Sequence, residues 1–362
     1  MCKLIFYFLF IFILLAQQVV KASDVTPGYK LGVYYFPGWM EGARGGAVNP
    51  WERIQKYPDR EPLLGWYRDG DVEVAERHIQ WMHDYGIDYV VYDWYTDGTP
   101  FLEHALSAYF KAKNRDLIKF SILWANHSHF PDNLDQFESM VRYWVKYYFK
   151  SDQYMKIDGK PVVFVFSQQQ LQDNAKKFGK TVTDLLIISR AIAKKAGFTG
   201  IYFIGSVEAS NFWVKQQGPV NGFDAFSAYN YQRGFSGTYI QNKRESHSYE
   251  ELDKAYQESW AWILLNSKLP YIVPMTSGWD KRPWGGSKDS LHDNSSSTPD
   301  SFERHLRAAK SLMDRYPSVS KRMGIICCWN EFGEGSYIEP TKKDSFIYLE
   351  KIRKVFGVRE RE

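Results

Sequence analysis

Near its carboxyl end the chain reads Trp329-Asn330-Glu331-Phe332-Gly333-Glu334-Gly335-Ser336-Tyr337-Ile338-Glu339-Pro340, directly after an apolar run from Gly324 to Cys328. Glu331 and Glu334 therefore stand at the exit of a buried strand, three positions apart. Cleavage of a glycosidic bond needs one carboxyl kept protonated to help the leaving oxygen, and a second, ionised one as base or nucleophile. Two carboxylates held close together push their pKa values apart, which yields that division of labour near neutral pH. Gly333 and Gly335 allow the tight backbone needed to aim both side chains inward. A Glu-x-x-Glu pair also occurs on solvated helices. The preceding buried strand, the flanking Trp, Asn and Tyr and the interleaved glycines point instead to a site.

Other polar and aromatic residues gather at the ends of apolar runs: Tyr34, Tyr35, Asp93, Trp94, Trp124, Asn126, Glu208, Tyr229, Trp279, Asp280, Asn330 and Tyr337. Aromatic platforms together with groups able to bond hydroxyls suit a sugar-binding cleft, so all twelve are candidate substrate contacts. Asp93 fits a substrate hydroxyl, but equally a buried Arg or a helix cap. Glu208 and Asp280 have an ion pair at the rim as their structural alternative, and His127 suits a hydrogen-bonded rim residue better than a catalyst.

These residues need a scaffold that brings strand ends together. Eight apolar, β-rich runs are predicted as strands: Leu31–Pro37, Tyr89–Tyr95, Lys119–Asn126, Pro161–Ser167, Gly200–Glu208, Ala225–Tyr229, Tyr271–Ser277 and Gly324–Asn330. Their near-continuous apolar character suits parallel strands buried on both faces. Helical periodicity is predicted over Val72–Tyr85, Leu134–Phe149, Val182–Lys195, Tyr249–Leu265, Ser301–Tyr316 and Asp344–Val355, with a shorter helix over Phe101–Lys113. The stretch Ala209–Asp224 has room for a short helix. Strand and helix alternating about eight times predict an α/β fold, a single-domain (β/α)8 TIM barrel. The glycines after the first strand do not have the GxGxxG spacing of a doubly wound dinucleotide fold. The long segment Gly38–Asp71, with Trp39, Trp51 and Trp66, and the polar segment Ser287–Asp300 fall on the carboxyl-end side, where such barrels keep their chemistry. Ser287–Asp300 is expected to be mobile. Asp69-Gly70-Asp71 is expected to turn the chain and cap the helix beginning at Val72.

Composition is that of an ordinary globular chain and leans toward a carbohydrate binder. Of 362 residues 44% are hydrophobic and 17% aromatic, with 13 Trp, and Trp and Tyr stack on sugar rings as well as filling cores. Met1-Cys2-Lys3 followed by the uncharged run Leu4 to Ala16 and by Val20-Lys21-Ala22 has the pattern of a signal peptide over residues 1–22, ahead of a catalytic domain over 23–362. The apolar run is short for a membrane span, which favours a cleaved export signal over an anchor. Its removal takes away Lys3 and Lys21 and no acid, so the remainder is almost neutral. Neither nucleic acid nor an anionic membrane is implied as a partner. Neighbouring strand residues face opposite ways, so Cys327 and Cys328 are not expected to pair. No cofactor or metal is predicted, since the Cys and His spacings match no zinc site.

Several of these segments, taken in order, resemble glycoside hydrolase family 99 and the related WbsX-like proteins of polysaccharide biosynthesis. They are Tyr34-Tyr35, His78-Ile79 to Met82, Gly86-Ile87-Asp88, Val90-Val91-Tyr92-Asp93-Trp94, Trp124-Ala125-Asn126, Gly278-Trp279-Asp280 and, most specific, Trp329 to Pro340. The resemblance runs from about residue 31 to 356 and implies a (β/α)8 barrel. It implies a retaining, endo-acting hydrolase of α-mannosides, with Glu331 deprotonating the sugar 2-hydroxyl and Glu334 serving as general acid and base. Phe332 and Gly333 stand where the family hydrolases carry Trp and His, and Gly38–Asp71 departs from their pattern; both differences bear on the subsites. The WbsX-like relatives imply a second possibility, a glycosyltransferase-related role in building a polysaccharide. A third possibility is a non-catalytic glycan-binding protein that keeps the aromatic cleft.

Overall fold

The computed structural model describes residues 28–42, 49–232 and 245–357; the expected signal peptide lies outside them. Eight parallel strands form the barrel: β1 (Lys30–Tyr35), β2 (Tyr89–Thr96), β3 (Lys119–Trp124), β4 (Lys160–Val165), β5 (Tyr202–Ser206), β6 (Ala225–Ser227), β7 (Val273–Thr276) and β8 (Met323–Cys327). They pair in sequence order, and β8 returns to β1 with Leu31 opposite Gly324. The last seam, between β6 and β7, is a single parallel bridge from Phe226 to Tyr271. There the Phe226 amide donates to the Pro270 carbonyl at 2.8 Å and the Ile272 amide donates to the Phe226 carbonyl at 2.9 Å.

Around the strands run α1 (Val72–Asp84), α2 (His104–Lys111), α3 (Leu134–Tyr147), α4 (Gln168–Lys177), α5 (Val182–Lys195), α6 (Tyr249–Asn266), α7 (Pro299–Arg315) and α8 (Ile347–Phe356). Each predicted strand and helix is present. Helix α4 was not predicted, because its segment is Gln-rich and buries little apolar surface beyond Leu171 and Ala175. Between β5 and β6 the chain makes a π-helical stretch, Asn211–Gln217, and one further turn. Capping sets several helix starts: Thr181 and Asp184 form a capping box on α5, as do Thr298 and Ser301 on α7 behind Pro299. Asp71 does occupy the N-cap of α1, but its side chain makes no capping bond.

The strands sort their residues by alternation. Val33, Tyr35, Val90, Tyr92, Ile122 and Trp124 face the helices, whereas Tyr34, Val91, Leu123, Phe164, Ile204 and Ile325 fill the barrel interior. A third cluster packs Trp39, Trp51, Ile54, Tyr67 and Phe332 over the barrel mouth, with the rings of Trp39 and Trp51 stacked at 4.0 Å. Trp39 and Trp51 of the long first loop are thus part of its core.

Two expectations are corrected. Ser287–Asp300 is tied down: Ser295–Ser296 pairs with Gly278–Trp279, and buried Asp293 accepts from the amides of Lys281 and Ser287. Cys327 and Cys328 are joined by a disulfide. The peptide between them is cis, so the opposite-face rule for a trans strand does not apply to this pair.

Candidate active site

The carboxyl end of β8 continues into a small hairpin in which Asn330–Glu331 pairs with Ser336–Tyr337, Glu331 lying opposite Ser336. Glu331 is on the hairpin strand and Glu334 is in its turn. Gly335 holds φ +67°, and a Cβ there would come within 2.8 Å of the Asp280 backbone nitrogen. Glycine is required by both conformation and space. The Asp280 amide donates to the Glu334 carbonyl at 2.6 Å, linking the hairpin to the β7 exit.

Asparagine fixes the hairpin from below. The Asn330 side chain accepts from the Phe36 amide at 2.9 Å and donates to its carbonyl at 3.1 Å, while its own carbonyl takes the Trp39 indole N–H at 2.9 Å. On the far side Glu339 is buried and accepts from Tyr67 Oη at 2.7 Å, with His78 Nε2 at 3.2 Å. Arg60, from the first loop, donates to the carbonyls of Phe332 and Asp280 and pairs with the Asp280 carboxylate, which also binds Arg282. Burial pushes the Asp280 carboxyl up, but the Arg282 hydrogen bond and the Arg60 charge outweigh it and hold the group below its ordinary value.

A cleft of about 590 Å³ opens above this framework. Glu331 and Glu334 enter it from the hairpin, Asp93 from the end of β2, Tyr229 from the β6 exit, and Trp279, Lys281 and Trp284 from the β7 exit. Tyr229 Oη donates to Asp93 Oδ2 at 3.1 Å, and Asp93 Oδ1 is buried without a hydrogen-bond partner. Burial raises Asp93 well above its ordinary pKa; the Tyr229 bond opposes this and the Glu334 charge adds to it. Burial likewise raises Glu334 to about 7, against the pull of Lys281. The cleft thus gathers three carboxyl groups, two of them biased toward the protonated form, beside aromatic surfaces. Such a set can donate a proton to a leaving oxygen and accept one from a hydroxyl or water.

The other candidates divide by strand face. Tyr34 lies below the cleft, inside the barrel, its ring 4.9 Å from that of Tyr229. Tyr35, Trp94 and Trp124 face outward: Tyr35 contacts His78, Trp94 donates to Tyr148, and Trp124 packs on Phe137 and Trp144. Asn126 is a structural clamp between the β3 and β4 exits, exchanging two hydrogen bonds with the Ser167 backbone. Asn330 plays the same part under the hairpin. Asp280 and Tyr337 line a separate cavity behind the hairpin, and Glu208 lines a pocket beside the cleft. Sequence reasoning missed Lys281 and Trp284, although both follow closely on Trp279-Asp280. The indole of Trp284 fills the space beside Gly333, where a Cβ would sit 1.9 Å from it.

The chain is a (β/α)8 barrel with a cleft at the carboxyl ends of its strands. In fold it is similar to a glycoside hydrolase-like protein, with a TM-score of 0.67 and 16% identity over 93% of this chain and 96% of that one. It is similar also to the GH99 endo-α-mannosidase from Bacteroides thetaiotaomicron in complex with Bis-Tris-propane, with a TM-score of 0.65 and 15% identity over 90% and 95%. A second structure of that endo-α-mannosidase gives 0.62 and 14% over 90% and 98%. The family model described as Glycosyltransferase WbsX matches residues 54–352, and the chain belongs to that family. No curated protein sequence matches the chain.

Proposed function

We propose that the chain is an exported glycoside hydrolase, endo-acting and retaining, on a polysaccharide or glycan of α-mannoside type. The observation that carries this reading is the pair Glu331 and Glu334 in one cleft, with burial holding Glu334 near pKa 7. Glu334 gives its proton to the departing glycosidic oxygen while Glu331 takes the proton of the sugar 2-hydroxyl, whose oxygen closes on the anomeric carbon. Water then opens the anhydro-sugar, losing its proton to Glu334 as Glu331 returns its own to the 2-oxygen. Asp93, kept protonated, spares the cleft a second negative charge beside Glu331 and offers a hydroxyl donor to substrate. The similarity of fold to an endo-α-mannosidase supports the substrate class. Export rests on residues 1–22, and amino-terminal sequencing of the exported chain should begin at Ser23.

The family's description favours a second reading, transfer from an activated sugar. The chain's one Asp-x-Asp offers it little. Asp69 is buried against the Trp39 amide and His104, and its partners are already in place.

Digestion of a panel of polysaccharides and glycans by the wild type, Glu331→Gln and Glu334→Gln separates these readings. Cleavage by the wild type that both substitutions abolish is expected. Binding without cleavage, unchanged in the variants, would favour a glycan-binding protein, and transfer from a sugar nucleotide would favour the second reading.

A further inference from the structure

Behind the Asn330–Tyr337 hairpin, the cavity lined by Asp280 and Tyr337 has a volume of about 410 Å³. Its walls come from the first loop, the β7 exit, the back of the hairpin and the segment leading into α8, and none of Asp93, Glu331 and Glu334 lines it. The charge of these walls is not balanced. Arg60 and Arg282 share one carboxylate, that of Asp280, and both guanidiniums lie over the Tyr57 ring, 5.1 and 5.7 Å from its centre. Two cations on one anion leave a positive charge over, and Arg60 is buried, so water screens that charge little. At the rim Lys343 and Asp59 pair at 2.8 Å and cancel. Lys56 also lines the cavity and has no ion-pair partner among the described residues. The carboxyl left over is Asp344, whose charged form burial disfavours against the pull of Lys343. Hydrogen bonding is unbalanced in the same sense. Arg282 spends Nε and Nη2 on Asp280 and leaves Nη1 unused. The Tyr337 hydroxyl, within reach of the Arg60 charge, has no hydrogen-bond partner among the described residues.

We propose that this cavity is an oxyanion site, holding a phosphate or sulfate group between Lys56, Arg282 and Tyr337. Such a group accepts from several donors at once and carries the charge that the wall lacks. A neutral ligand would leave the surplus charge unanswered. The group can be the free anion or a charged substituent of a larger molecule, since both present the same oxygens. Gly335 and Tyr337 belong to the wall, so the occupant braces the hairpin from the side away from the cleft. The inference stands apart from the hydrolase reading, because no residue of the proposed chemistry takes part in it.

The test is calorimetric titration of the full-length wild type with inorganic phosphate, inorganic sulfate, mannose 6-phosphate and mannose, all at an ionic strength matched with sodium chloride. Lys56→Met, Tyr337→Phe, Arg282→Gln and Lys281→Met, each checked for cooperative melting, complete the set. Phosphate is expected to bind in the low millimolar range, with mannose as the blank for the cleft. Lys56→Met and Tyr337→Phe should each weaken phosphate by about three- to tenfold, and Arg282→Gln, which removes the surplus charge, by more. Lys281→Met, which alters the lysine of the cleft lining, should leave it unchanged. Mannose 6-phosphate binding more tightly than phosphate, with the same losses in the variants, would support the site and make a sugar substituent the carrier; equal or weaker binding would support it with the free anion. Phosphate affinity weaker than about 50 mM would mean an adventitious ion only and overturn the proposal. Affinity unchanged in both Lys56→Met and Tyr337→Phe, or lost in Lys281→Met, would overturn it too, the last by placing the anion in the cleft.

Discussion

The acid role proposed for Glu334 rests on burial. Its ordinary pKa of 4.5 is raised to about 7, with Lys281 limiting the rise. Between those values the folded chain keeps a proton that the unfolded chain releases. Stability is therefore lost as pH climbs from about 4.5 to about 7, and the deficit stays constant above that. Gln at this position has no charge to bury. Urea melts should show Glu334→Gln gaining on the wild type across that window, by up to ~3 kcal/mol at pH 8, with no such gain at pH 4. Equal stability at both pH values would mean that Glu334 is not desolvated. The same burial predicts a declining alkaline limb near pH 7 in the wild type's kcat/KM, because the acid must be protonated to act. At this scale the paired glutamates were legible from their place after a buried strand. The faces of their companions were not: of Tyr34-Tyr35 and Asp93-Trp94, alternation allows one member of each pair to look into the barrel. Strand phase near an exit is not written in residue type, since an aromatic serves an outer core and a sugar platform equally well. Asn126 and Asn330 look like ligand amides for the same reason, and both spend their hydrogen bonds on backbone.

The hairpin from Asn330 to Tyr337 is the element on which the site depends, and it is held by contacts distant in sequence. Arg60, from the first loop, is buried against Asp280 and the Phe332 carbonyl. Arg60→Ala should destabilise the fold by about 2–4 kcal/mol, measured by chemical denaturation, because Asp280 keeps only Arg282, which is largely exposed. A loss below ~0.5 kcal/mol, the range of an ordinary surface change, would show that the triad is not holding the loops together. Gly333 gives a sharper probe. A methyl group there collides with the Trp284 indole, so Gly333→Ala should lower activity while the protein still melts cooperatively. In Gly333→Ala/Trp284→Ala the collision is gone, and the double variant should be no worse than Trp284→Ala alone. Additive losses would contradict the contact. None of this was legible in the chain, since Arg60, Trp284 and Gly333 meet only after the barrel closes. The strands themselves were legible because both of their faces are buried. Helix α4 was not, for its polar glutamines cover little core.

At the scale of the molecule, the barrel brings residues from β2, β6, β7 and β8 exits to one cleft. The alternation of strand and helix carried that architecture in the sequence, down to the weak segment between β5 and β6 where a π-helical stretch replaces a full helix. The disulfide of Cys327 and Cys328 was not legible, because it depends on one peptide departing from the trans geometry that strand rules assume. What the whole assembly does is a question of chemistry, and leaving-group dependence addresses it most directly. The measurement is kcat/KM, which reports the first step alone, for wild type, Glu331→Gln and Glu334→Gln on an α-mannan oligosaccharide and on the matching glycosyl fluoride, whose leaving group needs little protonation. The account predicts that Glu334→Gln loses about 10²–10⁴-fold on the oligosaccharide and far less on the fluoride, whereas Glu331→Gln loses activity on both. Wild-type rates kept by either variant on the oligosaccharide, or equal losses by Glu334→Gln on both substrates, would contradict it.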